Sequence, residues 1–261
     1  MRLLSYNIHK GIGGRDRRYR LERICEVIED QNPDIICLQE VDTNCRRSKF
    51  HDQPELLSRY FSFDHKLFQL NVKLKSGGYG NLVLSRWNVH DSEHISLRVW
   101  RKKNRGAQLC VVDTPEGKLH LVNWHLGLAE MERQTQVRKL LEHDTFKKFA
   151  KHPTVIVGDT NDWRNILADK IFAGNQFRHI TRPASKFRSF PAYMPMGSLD
   201  KLFVNHGLKI KHAHVVRSIK TRDASDHLPL VVDFHFRTPQ LAAIEQEIGA
   251  NDNASEGNGE A

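Results

Sequence analysis

The sequence predicts an α/β fold in one large domain, and three observations support this. A chain of 261 residues with 39% hydrophobic residues is long and apolar enough for a single unit with a sizeable core. Its first forty residues have a strand–helix–strand pattern. After residue 80, many short apolar runs alternate with two longer segments of helical periodicity.

The opening pattern is the most regular part of the chain. Residues 3–8 form a buried strand, and apolar side chains then recur at helical spacing between residues 19 and 31: Leu21, Ile24, Cys25 and Ile28. Pro33 ends this helix, because the residue before a proline disfavours the helical conformation. Residues 34–41 are predicted to form a second buried strand, with Glu40 near its end.

The rest of the chain is predicted to contain further strands and two helices. Residues 43–76 show no regular pattern and are rich in His, Lys and Arg. Apolar runs predict strands at 82–84, 95–100, 108–112, 119–124, 154–157, 199–204, 210–216 and 228–236. Helical periodicity predicts helices at 128–149 and 162–172.

The charge distribution separates the domain from its tail. We assign residues 1–237 to the domain and residues 238–261 to an acidic, disordered tail, because the chain after Pro239 has five acidic residues and no Lys or Arg. The remainder is therefore more basic than the formal net charge of +9. A basic surface suits an anionic substrate, although scattered charge that only aids solubility is an equally good interpretation.

Cysteine usage and the N-terminus favour a cytoplasmic protein. The four cysteines include no Cys-x-x-Cys pair, so we expect reduced thiols and no zinc site. The N-terminus lacks the pattern of a signal peptide, and no apolar run approaches the roughly 18 residues of a transmembrane segment. No protein partner is evident from the sequence.

Polar side chains that could carry chemistry lie at the ends of apolar strands. One such residue is usually a strand cap or turn residue, but the whole set is what phosphate-ester hydrolysis needs. That reaction uses oxygen ligands for a hard divalent cation, a base for water, and cations beside the phosphoryl oxygens. The set comprises Asn7, Glu40, His125, Asp159, Asn161, Asp200, Asp226 and His227.

Six short motifs occur in an order that resembles the endonuclease/exonuclease/phosphatase superfamily. This superfamily includes DNase I-like nucleases, exonuclease III-like repair enzymes, inositol-phosphate phosphatases and bacterial sphingomyelinases. The resemblance implies a two-sheet, four-layer α/β sandwich of the DNase I-like type, with the site at one end of the sheets. The motifs are Ser-Tyr-Asn-Ile (5–8), Ile-Cys-Leu-Gln-Glu-Val (36–41), Asn-Trp-His-Leu (123–126), Val-Gly-Asp-Thr-Asn (157–161), Ser-Leu-Asp-Lys-Leu-Phe-Val (198–204) and Ser-Asp-His-Leu-Pro-Leu (225–230).

The resemblance also implies metal ligands. Glu40, with Asn7 close by, would hold Mg²⁺ or Mn²⁺. Asp226 would lie near the same metal or near a second cation.

Catalytic roles follow from the same motifs. Asp159 would orient and deprotonate the attacking water with help from Asn161. His227 would contact the scissile phosphate, aligned by Asp200 through its other ring nitrogen. His125 would donate a hydrogen bond to a phosphoryl oxygen.

We therefore expect a divalent-metal-dependent phosphoesterase, foremost a phosphodiesterase. The segment His9-Lys10-Gly11 and the presence of His125 differ from exonuclease III-like enzymes and argue against abasic-site repair. The chain looks like a bacterial branch whose substrate the motifs do not define. Three alternatives stay open: a DNA or RNA endonuclease or exonuclease, a sphingomyelinase-like phospholipid or inositol-phosphate hydrolase, and an inactive binding module.

The substrate is expected to be anionic and to contain phosphate, as nucleic acids, lipid headgroups and small phosphate esters do. We see no Lys/Arg stripe with regularly interleaved aromatic residues, so we expect the protein to engage few phosphates. The sequence identifies no substrate-binding residues.

Overall fold

The computed structural model describes residues 1–237, apart from the side chains of Asp169 and Ala173. These residues form two six-stranded sheets. In chain order the strands are β1 (Arg2–Asn7), β2 (Ile35–Thr43), β3 (His65–Lys73), β4 (Gly78–Ser85), β5 (Val89–Ser96), β6 (Gly106–Thr114), β7 (Gly117–His125), β8 (Thr154–Asp159), β9 (Arg178–His179), β10 (Asp200–Val204), β11 (Leu208–Val215) and β12 (Leu230–Phe236).

Both sheets mix parallel and antiparallel pairs. The first sheet has the order β11-β12-β1-β2-β4-β3, and the second has the order β5-β6-β7-β8-β10-β9. The strand–helix–strand opening gives the parallel pair β1–β2, and β7–β8 are parallel in the second sheet. The helices are α1 (Leu21–Glu29), α2 (Gln53–Phe61), α3 (Glu130–Glu142), α4 (Asp144–Phe149) and α5 (Ile219–Ala224).

Alternation along the strands separates the core into layers. Successive side chains of a strand point to opposite faces. In β1, Leu3 packs in the core between the two sheets, where it is joined by Leu121 of β7. The next residue, Leu4, packs with Ile24 of α1 on the outer face of the first sheet.

The second sheet is covered in the same way. Trp124 is fully buried on its outer face, in one cluster with Val137 and Leu140 of α3. The order of layers is therefore helix, sheet, sheet, helix. This confirms the predicted two-sheet α/β sandwich.

Residues 43–76, predicted to be irregular, contain α2 and β3. Helix α2 has a local start signal, because the side chain of Asp52 accepts a hydrogen bond from Glu55 N and Pro54 lies in the first turn. Strand β3 is at the edge of its sheet and half-exposed, so it lacks a continuous apolar run.

The two predicted helices also differ in detail. Residues 128–149 form α3 and α4, because His143 between them is extended and its imidazole accepts a hydrogen bond from Thr145 N. The helix predicted over 162–172 was placed too near the N-terminus. Asp162 Oδ2 accepts a hydrogen bond from Leu167 N, which holds a turn at the start of this segment. Helical turns occupy Ala168–Phe172 and Ala173–Asn175 instead. Helix α5 was not predicted.

The remaining expectations concern thiols, membranes and the tail. All four cysteines are free and buried. Within residues 1–237, no helix has the length and apolarity that crossing a membrane requires. The predicted tail, residues 238–261, lies outside the described residues.

Candidate active site

Strand register brings the first catalytic candidates together in the second sheet. Asp159 is the last residue of β8 and lies opposite His125, the last residue of the parallel strand β7. On its other side, Asp200 is the first residue of the antiparallel strand β10 and also pairs with Asp159. The sequence placed Asp159 two residues after its predicted strand, 154–157, whereas it lies in the ladder. Asp200 lies inside its predicted strand, 199–204, as the structure has it.

The first sheet contributes Asn7, the last residue of β1. Asn7 Nδ2 donates a hydrogen bond to Asp159 Oδ2 at 3.0 Å, which links the two sheets at this end. Ser225 Oγ donates to the backbone oxygen of Asn7 at 2.8 Å. That bond fixes the segment before β12, which carries Asp226 and His227.

We define the acid–base cluster as Asp159, His227, Asp200, His125 and Asn161. His227 Nδ1 donates to Asp200 Oδ2 at 2.8 Å, and His227 Nε2 lies 3.6 Å from Asp159 Oδ2. The same Asp159 oxygen lies 3.3 Å from His125 Nε2. Asn161 N donates to Asp159 Oδ1 at 2.9 Å, with Asn161 itself in the left-handed region at φ +51°.

Burial and neighbouring charges set the protonation states of the cluster. Burial raises the pKa of Asp159 to about 6, although the nearby His227 cation acts to lower it. Burial alone would lower the pKa of His227, but the carboxylates of Asp200 and Asp159 raise it to about 10. At neutral pH, the cluster therefore holds the His227 imidazolium beside the Asp159 carboxylate.

His125 is instead neutral, and its proton can be assigned. Burial, followed by the positive charge of Arg105, lowers the pKa of His125 well below its ordinary value. Arg105 Nη1 lies 3.2 Å from His125 Nδ1, and a guanidinium can only donate. With Nδ1 accepting from Arg105, the imidazole proton lies on Nε2, which is 3.3 Å from Asp159 Oδ2. Asn161 Nδ2 is also 3.3 Å from Nε2, but it donates to the backbone oxygen of Leu126 at 3.0 Å.

Glu40 lies beside this cluster in a distorted part of β2. The strand continues to Thr43, two residues past the predicted end at residue 41. The pairing of β2 with β4 shifts between Leu38 and Val41, and Glu40 has a φ of +57°. Such a bulge leaves one residue unpaired and turns its side chain out of the regular ladder.

The Glu40 carboxylate contacts the ammonium of Lys10. Burial acts to raise the pKa of Glu40, but the charge of Lys10 and a hydrogen bond from its ammonium lower it far below its ordinary value. Lys10 follows β1 in a short turn, with a φ of +65°. Glu40 is therefore an anion that already faces a cation.

Asp226 and Asn7 complete the predicted metal ligands. Asp226 Oδ2 lies 3.7 Å from His9 Nε2, and Asn7 Oδ1 accepts a hydrogen bond from His9 N. Within residues 1–237, no group of three or more His, Cys, Asp or Glu side chains is arranged to hold a metal ion. The available oxygen donors fit a hard cation such as Mg²⁺, which needs only one or two protein carboxylates and takes water or substrate for the rest.

The structure thus joins six predicted residues by direct contacts: Asn7, His125, Asp159, Asn161, Asp200 and His227. Glu40 and Asp226 form no ion pair or hydrogen bond with the other predicted residues in the described part of the chain. They are held instead by Lys10 and by His9 and Ser225.

Sequence reasoning missed three supporting residues. Lys10 faces Glu40, Arg105 fixes His125, and Ser189 Oγ donates to Asp200 Oδ2 at 2.5 Å. Lys10 could have been found from the sequence, since it lies two residues after the first motif, which contains Asn7. Arg105 precedes Gly106, which pairs with His125, but only the strand register reveals this.

Comparison with known proteins identifies the family. Residues 4–227 match the Endonuclease/Exonuclease/phosphatase family, so the chain belongs to it. A curated relative, the uncharacterized protein YbhP of Escherichia coli (strain K12), is 31% identical over 252 residues. That match covers 90% of this chain and 96% of YbhP.

Solved structures share the fold at lower identity. An endonuclease/exonuclease/phosphatase from Beutenbergia cavernae superposes with a TM-score of 0.73 at 23% identity, covering 90% of this chain and 71% of that one. The human Nocturnin catalytic domain with a bound sulfate anion has a TM-score of 0.67 at 22% identity, covering 91% and 93%. Members of the family are typically phosphoester hydrolases and generally use divalent metals.

Proposed function

We propose that this chain is a divalent-metal-dependent phosphodiesterase that hydrolyses a P–O bond by attack of water. The observation that carries the proposal is the buried acid–base cluster. It places a carboxylate, Asp159, next to an imidazolium, His227, and a neutral imidazole, His125. Attack of water on a phosphate requires a base that accepts the proton of the water and donors that stabilise charge on the phosphoryl oxygens.

Asp159 is proposed to orient the water and accept its proton. Three groups of the chain fix the carboxylate: Asn7 Nδ2, Asn161 N and the ring of His125. Since the carboxylate is held in place before the reaction, little reorganisation is needed when water binds.

The two histidines are proposed to bind phosphoryl oxygens with different charges. His227 is a cation whose Nδ1 is occupied by Asp200, so its Nε2–H is the group available for an anionic oxygen. His125 donates through Nε2 as a neutral group, because Arg105 occupies its Nδ1. Both would stabilise the charge that grows on these oxygens in the transition state.

Glu40 and Asn7 are proposed to hold Mg²⁺ or Mn²⁺, with Asp226 near the same ion or a second one. When bound, the cation would offset the charge of the phosphate and polarise it. Lys10 contacts the carboxylate of Glu40 that the metal would use. We therefore expect Lys10 to release Glu40 as the metal binds.

The retained chemistry argues against an inactive binding module. A module that only bound phosphate would need the cations, but not a buried carboxylate aligned with two imidazoles. Burying such charges costs folding free energy. Catalysis is a function that would require them in this arrangement.

The proposal is tested with a panel of substrates: bis(4-nitrophenyl) phosphate, 4-nitrophenyl phosphate, single- and double-stranded DNA, RNA, and a phosphocholine lipid. Each is assayed with Mg²⁺, with Mn²⁺ and with excess chelator. Metal-dependent release of product, faster for a diester than for the matching monoester, supports the proposal. Full turnover in chelator, or no turnover of any substrate, contradicts it.

A further inference from the structure

An open cavity of about 690 Å³, rich in basic side chains, adjoins the candidate active site. It lies between strand β3 and the segment that connects β5 to β6. Five basic residues line it, and none of the described residues lining it is acidic. These basic residues are Lys73, Arg98, Lys102, Lys103 and Arg105.

Arg105 joins the cavity to the acid–base cluster. Its side chain lines the cavity, while its Nη1 contacts His125. Only 6% of Arg105 is exposed, yet it forms no ion pair with any described carboxylate, and its Nε has no hydrogen-bond partner. A buried guanidinium without a carboxylate is costly, so an anionic ligand would complete its environment.

Lys103 provides a second connection, through Tyr79. Lys103 Nζ lies 5.2 Å from the centre of the Tyr79 ring, and Lys10 Nζ lies 5.4 Å from the same centre. Lys10 in turn contacts Glu40. The basic lining of the cavity is thus continuous with both the His125 side and the Glu40 side of the candidate site.

The connecting segment is itself unusual. Residues 98–105 read Arg-Val-Trp-Arg-Lys-Lys-Asn-Arg, a basic stretch around one aromatic residue. Trp100 is 79% exposed, and its carbonyl oxygen accepts a hydrogen bond from Arg98 Nε at 3.3 Å. A tryptophan in solvent beside cations resembles the stacking platforms of proteins that bind single-stranded nucleic acid.

We propose that this cavity and Trp100 bind the non-scissile part of a single-stranded nucleic acid whose phosphodiester is cleaved at the acid–base cluster. The cations would follow the phosphates and Trp100 would stack on a base. A cavity of this size holds far more than one phosphate. A small polyphosphate would need the cations alone and would leave Trp100 without a partner. The inference rests on the proposed phosphodiesterase function and names its substrate class.

The test is binding of a fluorescein-labelled single-stranded DNA 8-mer to the full chain in excess chelator, followed by anisotropy across a salt series. The double variant Arg98→Ala/Lys102→Ala should lose affinity on the order of tenfold at low salt. Its salt slope should fall by about 1.4, since each single-strand phosphate contact contributes about 0.7. The matched variant Lys118→Ala/Lys211→Ala removes two exposed cations elsewhere and should bind as the wild type does.

Variants of Trp100 distinguish binding of a single-stranded nucleic acid from binding of a small polyphosphate. Trp100→Ala should weaken 8-mer binding by roughly fivefold to a hundredfold, the usual range for one stacked base, and Trp100→Phe should restore most of the affinity. Inorganic tripolyphosphate should compete poorly with the 8-mer. Equal affinities of the wild type and the cavity variants overturn the inference, and so does tripolyphosphate that competes as well as DNA at equal phosphate concentration.

Hydrolysis of a small diester distinguishes failure of the proposed phosphodiesterase function from failure of the proposed nucleic-acid binding. Bis(4-nitrophenyl) phosphate has one phosphate and no flanking nucleotides, so its Mg²⁺-dependent hydrolysis by the wild type reports on the acid–base cluster and the proposed metal ligands without the cavity. If it is hydrolysed but the 8-mer does not bind, the inference fails and the phosphodiesterase proposal stands. If the 8-mer binds as expected but no diester is hydrolysed, the function fails and the cavity is a binding site only.

Discussion

The acid–base cluster and the pair Glu40–Lys10 lie side by side but are built differently. In the cluster, Asp159 is 1% exposed and accepts hydrogen bonds from two other residues. The Glu40 side chain is 14% exposed and has one close partner, the flexible side chain of Lys10. The cluster is held by strand ends of both sheets, whereas Glu40 is on a bulge and Lys10 on a turn.

Under the proposed function, this difference would separate two tasks. Proton transfer would need groups that are fixed before the reaction, as those of the cluster are. Compensation of the charge on Glu40 would need a cation that can be exchanged, and Lys10 lies beside Glu40. We therefore expect variants in the two regions to fail in different ways, through turnover in one and metal requirement in the other.

The largest effect is expected in the acid–base cluster. Asp159→Asn and His227→Ala should each lower turnover of a diester by at least about 100-fold, because each removes a group that acts in the transition state. Thermal melting should show that both variants remain folded. His90 and Asp113 form a partly exposed His–Asp pair at 3.0 Å and provide the matched control, so His90→Ala and Asp113→Asn should keep normal turnover. Near-normal activity of either cluster variant would show that its role is wrongly assigned.

A smaller effect is expected from changing Asp200, which accepts a hydrogen bond from His227 Nδ1. Asp200→Asn leaves the imidazole in place but removes the carboxylate that aligns and charges it. Turnover should fall by roughly tenfold or more while KM changes little, since general acid–base terms act on the chemical step. A variant that changes KM alone would indicate that Asp200 serves substrate binding instead.

The smallest effect is expected at Lys10. Lys10→Met keeps the length of the side chain and removes the cation that competes for Glu40. The Mg²⁺ concentration at half-maximal activity should fall by about twofold to fivefold, the scale of a weak ion pair. A rise in that concentration would show that Lys10 supports metal binding rather than competing with it.

Sequence patterns predicted most of the sheet strands, because a buried strand needs a continuous apolar run. The strand predicted at 95–100 lies earlier, as β5 at Val89–Ser96, and the two-residue β9 was not predicted. Most of β5 is exposed or half-buried, so its sequence lacks an apolar run. The patterns also missed β3, which is half-exposed at a sheet edge, and the bulge at Glu40, which depends on pairing with β4. Motif order predicted the residues of the acid–base cluster. It could not predict Arg105, since the contact with His125 exists only after β6 and β7 pair.

The basic stretch at 98–105 was visible in the sequence but was not recognised as a substrate feature. Its cations do not form a regular stripe with aromatic residues, and only the fold places them around one cavity. The proposed binding of a single strand departs from the sequence-based expectation that few phosphates are engaged. The salt series on the 8-mer decides between the two, since a shallow slope supports the earlier expectation and a steep slope supports the cavity.

The division between the two regions is tested most directly by magnesium activation curves for diester hydrolysis, measured in parallel on the wild type, Asp159→Asn and Glu40→Gln. We expect Asp159→Asn to keep the half-saturating concentration of Mg²⁺ and to reach a plateau at least about 100-fold lower. Glu40→Gln should need roughly tenfold or more Mg²⁺, as expected after loss of a ligand, and should approach a much higher plateau. Activity that is independent of Mg²⁺, or curves of the same shape for the two variants, would contradict this account.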